Sequence, residues 1–83
     1  MSLSETIYNT RIKALLSQEE FAKVLNVSVG TINRWENGKT KPNMIAMKAI
    51  KNFCKEKELS YELIESEWLT SRMGDKKKIS VRK

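Results

Sequence analysis

Residues that interrupt helices are scarce in this chain, and they occur at only four positions. Pro42 is the sole proline, and the three glycines are Gly30, Gly38 and Gly74. Glycine and proline are the residues least favourable inside a helix, so the long stretches between them are free to be helical. Alternation of β-branched residues is short everywhere except near the end of the chain. The sequence therefore predicts an all-α fold.

Candidate capping residues divide the chain into about five short helices. Ser and Asn side chains accept hydrogen bonds from the unpaired amides of a first helical turn. The caps expected for helices 1 to 5, in order, are Ser4, Ser17, Ser28, Asn43 and Ser60. The spacing of Ser17 and Glu20 also fits a capping box. Asn26 suits a left-handed turn after helix 2, and Gly38 suits the end of helix 3 near residue 37.

Apolar residues recur every three or four positions in these segments, as they do on the buried face of a helix. This spacing predicts the following core residues: Ile7, Ile12, Leu15 or Leu16, Phe21, Ala22, Leu25, Ile32, Trp35, Met44, Met47, Ile50, Cys54, Leu63 and Ile64. Trp68 either completes this core or belongs to a dimer surface. A chain of 83 residues with 40% hydrophobic content can form one small domain. We expect that domain at residues 1–69, followed by a basic tail at 70–83.

The formal net charge of +6 is unevenly distributed. Residues 1–57 carry 10 basic and 5 acidic side chains, residues 58–69 carry 4 acidic and no basic ones, and residues 70–83 carry 6 basic and 1 acidic. Basic blocks of this kind favour a polyanionic partner, and the alternative is a solvated lysine-rich face. Nucleic acid is the partner that we favour, ahead of a membrane surface.

The absence of histidine and the single cysteine, Cys54, exclude several kinds of chemistry. A disulfide framework, a His-ligated metal site and His-based acid–base catalysis all require residues that this chain lacks. No residues pair a nucleophile with a base, so we expect no enzyme, no metal and no cofactor. No apolar run approaches the roughly 18 residues of a spanning helix, and residues near the N-terminus lack the charged-then-apolar pattern of a secretory signal. We therefore expect a cytoplasmic protein.

Residues 26–38, NVSVGTINRWENG, combine two patterns within one short helix. Val29, Ile32 and Trp35 recur at the three-residue spacing of a buried stripe. Gly30, Asn33 and Arg34 lie between them, where a binding surface would lie. The segment preceding it is also a short helix, and its small Ala22 allows a second helix to cross closely. Two such helices joined by a tight turn have the geometry of a helix-turn-helix.

Residues 16–42, LSQEEFAKVLNVSVGTINRWENGKTKP, resemble the DNA-binding motif of the phage repressor and Cro family, also called Xre-type regulators. The matching elements are LSQEEFA, the VS before helix 3, IxxWENG and KxKP, and the likeness extends more loosely over residues 4–69. The family usually has glycine at the position of Leu15 and often at that of Asn26. The resemblance implies a lambda-repressor-like bundle of about five helices. It also implies that the protein is encoded by a bacterium or a phage and is associated with the nucleoid.

The resemblance also implies that helix 3, about residues 28–37, is a recognition helix in the major groove, which is about 12 Å wide. The base-reading positions it implies are Val29, Gly30, Asn33 and Arg34. Their chemistry agrees, because Arg can pair with guanine, Asn can pair with adenine, and Val can contact a thymine methyl group. For Gly30 two interpretations stay open: close approach to DNA, or a tolerated glycine in a first helical turn.

Contacts with the DNA backbone, which position a protein without reading sequence, are implied at a second set of residues. These are Gln18, Thr31, Asn37, Lys39, Thr40 and Lys41. The alternative for the two lysines is solvated charge. The family often pairs an arginine at the position of Arg11 with the glutamate at that of Glu36. This pair is either a buried structural contact or two exposed charges.

Three function classes remain open. The first is a sequence-specific regulator of transcription, expected to be a repressor that binds a double-stranded DNA operator as a homodimer, with half-sites about 34 Å apart. The second is an antitoxin-type regulator that also binds a toxin protein. The third is an interaction module similar to the coactivators that bridge to the transcription machinery. The tail KKKISVRK is either a basic arm on DNA or an added strand.

Overall fold

The computed structural model describes residues 2–71, and these residues form five α-helices. The helices are α1 (Leu3–Lys13), α2 (Gln18–Leu25), α3 (Val29–Glu36), α4 (Met44–Glu56) and α5 (Glu62–Thr70). The predicted all-α bundle is confirmed. Within the described range, no helix combines the length and the hydropathy needed to cross a bilayer. Both interpretations of the C-terminal tail concern residues outside this range.

Local capping explains why α2, α3 and α4 begin at the predicted residues. The Ser17 hydroxyl accepts a hydrogen bond from the Glu20 amide at 3.1 Å, and the Glu20 carboxylate accepts one from the Ser17 amide at 2.8 Å. Ser28 caps α3, and the Asn43 side chain accepts from the Ala46 amide at 2.8 Å. These contacts satisfy amides that have no partner inside the helix. The predicted caps of helices 2, 3 and 4 are confirmed.

The predicted caps of helices 1 and 5 are wrong. Helix α1 begins after Ser2, whose side chain accepts from the Glu5 amide at 3.2 Å, so the capping box lies two residues before Ser4. Helix α5 begins after Tyr61, which makes no capping hydrogen bond. The Tyr61 hydroxyl instead donates to the Met47 carbonyl at 3.4 Å. A contact between elements, and not a local cap at Ser60, accompanies the start of α5.

The core lies where the helices converge, with the rings of Phe21 and Phe53 in edge contact at 5.2 Å. The predicted core residues that are buried are Ile7, Phe21, Ala22, Leu25, Ile32, Trp35, Met47, Ile50, Cys54 and Ile64. Trp68 and Leu16 are partly buried against this core. Core assignment is wrong for Ile12, Met44 and Leu63, which are exposed, and of the alternatives Leu15 and Leu16 it is Leu15 that is exposed.

Ile12 was wrongly assigned to the core because two threonines occupy buried positions on α1. The inward face of α1 includes Thr6 and Thr10, which the apolar spacing does not count. Their hydroxyls donate to the carbonyls of Leu3 at 2.6 Å and of Thr6 at 2.8 Å. A buried hydroxyl costs little when it is hydrogen-bonded, so threonine can occupy a core position. Ile12 is consequently turned outward.

The turn between α1 and α2 contains a strained leucine. Leu15 has φ +62°, in the left-handed region, and its residue surface is 88% exposed. This conformation costs a residue with a Cβ roughly 1–2 kcal/mol, a penalty that glycine avoids. A leucine therefore occupies a turn position whose backbone conformation favours glycine.

We expect Leu15→Gly to raise the free energy of unfolding by about 1 kcal/mol, because the left-handed strain is removed and almost no packing is lost. Urea unfolding followed by circular dichroism measures this change. Leu15→Ala is the matched control, since it removes the side chain but keeps the strain, and it should resemble the wild type. Equal stability of the Gly and Ala variants would contradict the strain interpretation.

Candidate nucleic-acid interface

Helices α2 and α3 form the two-helix unit of the candidate interface. Asn26 ends α2 with φ +60°, and the Val27 amide donates to the Ala22 carbonyl at 2.9 Å, which closes the turn. Ala22 is buried where α3 approaches. On α3, Ile32 and Trp35 are buried, with 0% and 3% of their surfaces exposed. One face of α3 is therefore fixed in the core, and the opposite face is open to solvent.

The residues predicted to read bases lie on the outer part of α3. Val29, Asn33 and Arg34 are exposed, and Gly30 is partly exposed. Val29, first noted as part of an apolar stripe with Ile32 and Trp35, is 43% exposed and does not belong to the core. These positions repeat every three or four residues, so their side chains share one side of the helix. The structure thus brings all four predicted residues together.

Hydrogen bonds link polar side chains across this outer face. The Asn37 amide nitrogen donates to Asn33 Oδ1 at 3.0 Å, and Arg34 Nη2 donates to Thr31 Oγ1 at 3.4 Å. The Thr31 hydroxyl lies 2.8 Å from Ser28 Oγ. Because all these contacts are exposed, they orient the groups without removing them from solvent.

The surroundings of Gly30 do not require glycine. A Cβ built there would lie 3.5 Å from Arg34 Nη1 and 3.8 Å from Ser28 Oγ, which are ordinary contact distances. By contrast, Gly38 has φ +73° and ends α3 in the left-handed region. The backbone conformation therefore favours glycine at position 38, whereas nothing in the folded protein requires glycine at position 30.

Arg11 and Glu36 form a two-pronged ion pair between α1 and the end of α3. Arg11 Nε donates to Glu36 Oε2 at 2.7 Å, and Arg11 Nη2 donates to Oε1 at 3.0 Å. The exposed fractions of the two side chains are 11% and 7%. The hydrogen bond with Glu36 is the largest cause that raises the pKa of Arg11 above its ordinary value. The ion pair therefore ties α1 to the end of α3 in largely buried surroundings.

Two further groups complete this cluster. The third Arg11 nitrogen, Nη1, donates to the Leu16 carbonyl at 2.9 Å, and Gln18 Nε2 donates to Glu36 Oε1 at 3.0 Å. Arg11 thus joins α1, the α1–α2 turn and α3. The sequence predicted Gln18 only as a phosphate contact, and nothing in its spacing from Glu36 indicated this second partner.

The loop between α3 and α4 contains the remaining predicted DNA-contacting residues. Lys39 and Thr40 are exposed, whereas Lys41 is partly buried and directed towards α5. Its ammonium lies 3.3 Å from the Trp68 carbonyl oxygen and 5.1 Å from the centroid of the Trp68 ring. The sequence did not predict Trp68 as a partner of this loop, since Lys41 and Trp68 are 27 positions apart.

Comparison with known proteins agrees with this geometry. A family model described as helix-turn-helix matches residues 7–61, a span from α1 to the start of α5. The chain belongs to this family. The resemblance to Xre and lambda-repressor-like regulators is thereby confirmed. The match supports DNA-binding transcription regulation as the class of function.

One relative is the HTH-type transcriptional activator BcrR of Enterococcus faecalis, which is 40% identical over 53 residues. The matched region is 64% of this chain and 26% of the relative, so the chain spans about a quarter of that relative's length. No solved structure matches the chain.

Proposed function

We propose that this protein is a transcription regulator that binds double-stranded DNA sequence-specifically, with α3 in the major groove. One observation carries the proposal: Ile32 and Trp35 anchor one face of α3 in the core, while Asn33 and Arg34 lie exposed on the other. The major groove, about 12 Å wide, admits one such helix and displays a distinct pattern of groups for each base pair. The protein works by binding and needs no catalytic group.

The exposed side chains of α3 have the chemistry of base readers. Arg34 can donate two hydrogen bonds to O6 and N7 of guanine, and Val29 can contact a thymine methyl group. Asn33 can pair with adenine through its amide oxygen and nitrogen. Its oxygen accepts from Asn37 but has a second lone pair, so it can accept from adenine at the same time. Asn37 would then hold the reading side chain in place.

Backbone contacts surround this reading face in the proposed complex. The residues proposed to contact phosphates or sugars are Gln18, Thr31, Asn37, Lys39 and Thr40. The Gln18 amide has two N–H donors, and Glu36 Oε1 accepts one of them. The other can donate to a phosphate beside the free amides at the start of α2. Gln18 would then link the buried ion pair to the DNA backbone.

Gly30→Ala should separate folding from DNA binding. We expect stability to stay the same or rise by up to about 1 kcal/mol, because the added methyl group fits and alanine favours helix. Operator affinity should fall by about 10-fold or more, equivalent to about 1.4 kcal/mol, because the methyl group would lie between the helix and the bases. Melting curves and binding titrations on one preparation measure both. Unchanged affinity would show that Gly30 is only a tolerated glycine.

We further propose that the protein represses and that two chains bind one operator. Occupying an operator excludes other proteins from the same base pairs, so repression is the effect that DNA binding alone can produce. The exposed Leu63 and Leu69 on α5 offer apolar surface for a second chain.

A DNA target also implies a cytoplasmic, nucleoid-associated location. A reporter gene whose promoter overlaps the operator should lose expression when the protein is present. Increased expression would favour activation, the role stated in the name of the Enterococcus relative.

Selection of bound duplexes from a random pool tests the proposed function. We expect enrichment of one preferred sequence with two-fold symmetry and half-sites about 34 Å apart. Enrichment of a single half-site would contradict the pair of chains but not the reading helix. A pool that shows no sequence preference after repeated rounds would contradict sequence-specific recognition.

A further inference from the structure

Three contacts between Trp68 of α5 and the α3–α4 loop connect an otherwise remote helix to the proposed interface. Trp68 Nε1–H donates to the Pro42 carbonyl at 2.6 Å. In the other direction, the Lys41 ammonium donates to the Trp68 carbonyl at 3.3 Å and lies 5.1 Å from the centre of its ring. The loop and the helix thus each donate to a backbone carbonyl of the other.

The two carbonyls that accept these hydrogen bonds show why the contacts stabilise the loop against α5. Pro42 is fully buried, and a buried carbonyl needs a hydrogen-bond donor. The Trp68 carbonyl lies in the last turn of α5, where carbonyls carry partial negative charge, and it also accepts from the Ser71 amide at 3.3 Å. The Lys41 ammonium is therefore held by electrostatic attraction, by a hydrogen bond and by the aromatic ring.

These contacts limit the positions available to the exposed residues of the loop. Lys39 and Thr40 lie between Gly38, which ends α3, and the Lys41–Pro42 pair held by Trp68. A short segment fixed at both ends loses less conformational entropy when it binds a partner. Fixing the segment at both ends therefore restricts the positions open to the Lys39 ammonium and the Thr40 hydroxyl.

We propose that Trp68 is a positioning residue for DNA-backbone contact, and that Lys41 serves the same role by binding Trp68 and neutralises no phosphate. This inference rests on the proposed function, because Lys39 and Thr40 are assigned to phosphates only there. The family resemblance implied that Lys41 itself contacts the DNA backbone, and this inference replaces that role. The inference also gives α5 a role in DNA binding, although α5 lies far from α3 along the chain.

Trp68→Phe, made in the full chain, removes the N–H donor and keeps an aromatic ring beside Lys41. We expect it to bind every duplex about 3-fold to 10-fold more weakly, the equivalent of one lost hydrogen bond, with sequence preference unchanged. Tyr61→Phe is the matched control, since it removes the hydrogen bond from Tyr61 to Met47 and leaves the loop alone. It should bind DNA as the wild type does at a temperature where all variants are folded.

Salt dependence separates positioning from direct phosphate contact. The slope of log affinity against log salt changes by about 0.9 for each phosphate that a protein neutralises. Lys39→Met should reduce the slope by about that amount, whereas Lys41→Met should weaken binding and leave the slope unchanged. Combining Lys41→Met with Trp68→Phe should weaken binding by less than the product of the two single effects, because both act through one contact.

The possible outcomes distinguish this inference from the function on which it rests. Wild-type affinity in Trp68→Phe, an equal loss in Tyr61→Phe, or a slope reduced by Lys41→Met would each overturn the positioning role and leave DNA binding intact. A wild-type chain that binds no duplex would overturn both.

Discussion

Glu36→Ala is expected to lower the free energy of unfolding by about 3–5 kcal/mol, enough to unfold much of the domain. The substitution leaves the Arg11 guanidinium, whose side chain is 11% exposed, without the carboxylate that accepts two of its hydrogen bonds. Gln18 loses an acceptor at the same site. An unpaired charge in such surroundings costs far more than a broken surface contact.

Chemical unfolding followed by tryptophan fluorescence and circular dichroism measures the loss. Glu56→Ala is the matched control, because Glu56 is exposed at the end of α4, and its effect should stay within about 0.5 kcal/mol. The double variant Arg11→Met with Glu36→Leu should regain part of the stability, since it removes both charges together. If Glu36→Ala were as mild as the control, the pair would be a solvated contact.

The second large effect is expected from Trp35→Ala, which should cost about 3–5 kcal/mol by removing a large side chain from the core. Trp35 is 3% exposed, whereas its neighbour Arg34 is exposed and has only a long hydrogen bond to Thr31. Arg34→Ala should therefore change stability by no more than about 0.5 kcal/mol. Thermal melts of the two variants test this contrast. Similar destabilisation by both would contradict the division of α3 into buried and exposed faces.

The starts of α2, α3 and α4 could be predicted from local sequence chemistry, whereas that of α1 was placed two residues late although Ser2 caps it locally. Ser17, Ser28 and Asn43 each accept a hydrogen bond from an amide three residues later, so a short stretch contains all the information. The start of α5 could not be predicted in this way, because Tyr61 bonds to Met47 on another helix. Local patterns predict local contacts, and contacts between helices require the assembled fold.

The same limit applies to the proposed interface. Once Ile32 and Trp35 were assigned to the core, helical geometry placed Asn33 and Arg34 on the outer face of α3, whereas their proposed role as base readers came from the family resemblance. The environment of Lys41 did not follow, because a lysine in a loop has the same sequence signal whether it faces phosphate, solvent or a helix end. Only the fold brings Trp68 beside it.

The central claim is that the exposed face of α3 reads base pairs, and Arg34→Ala tests it most directly. The measurement is a titration of the wild type and this variant on the selected operator and on each of its single-base variants. Loss of Arg34 should cost about 1–3 kcal/mol on the operator and abolish discrimination at one base pair, while preferences elsewhere persist. An equal loss of affinity for every duplex would make Arg34 a phosphate contact and contradict the assignment of the reading face.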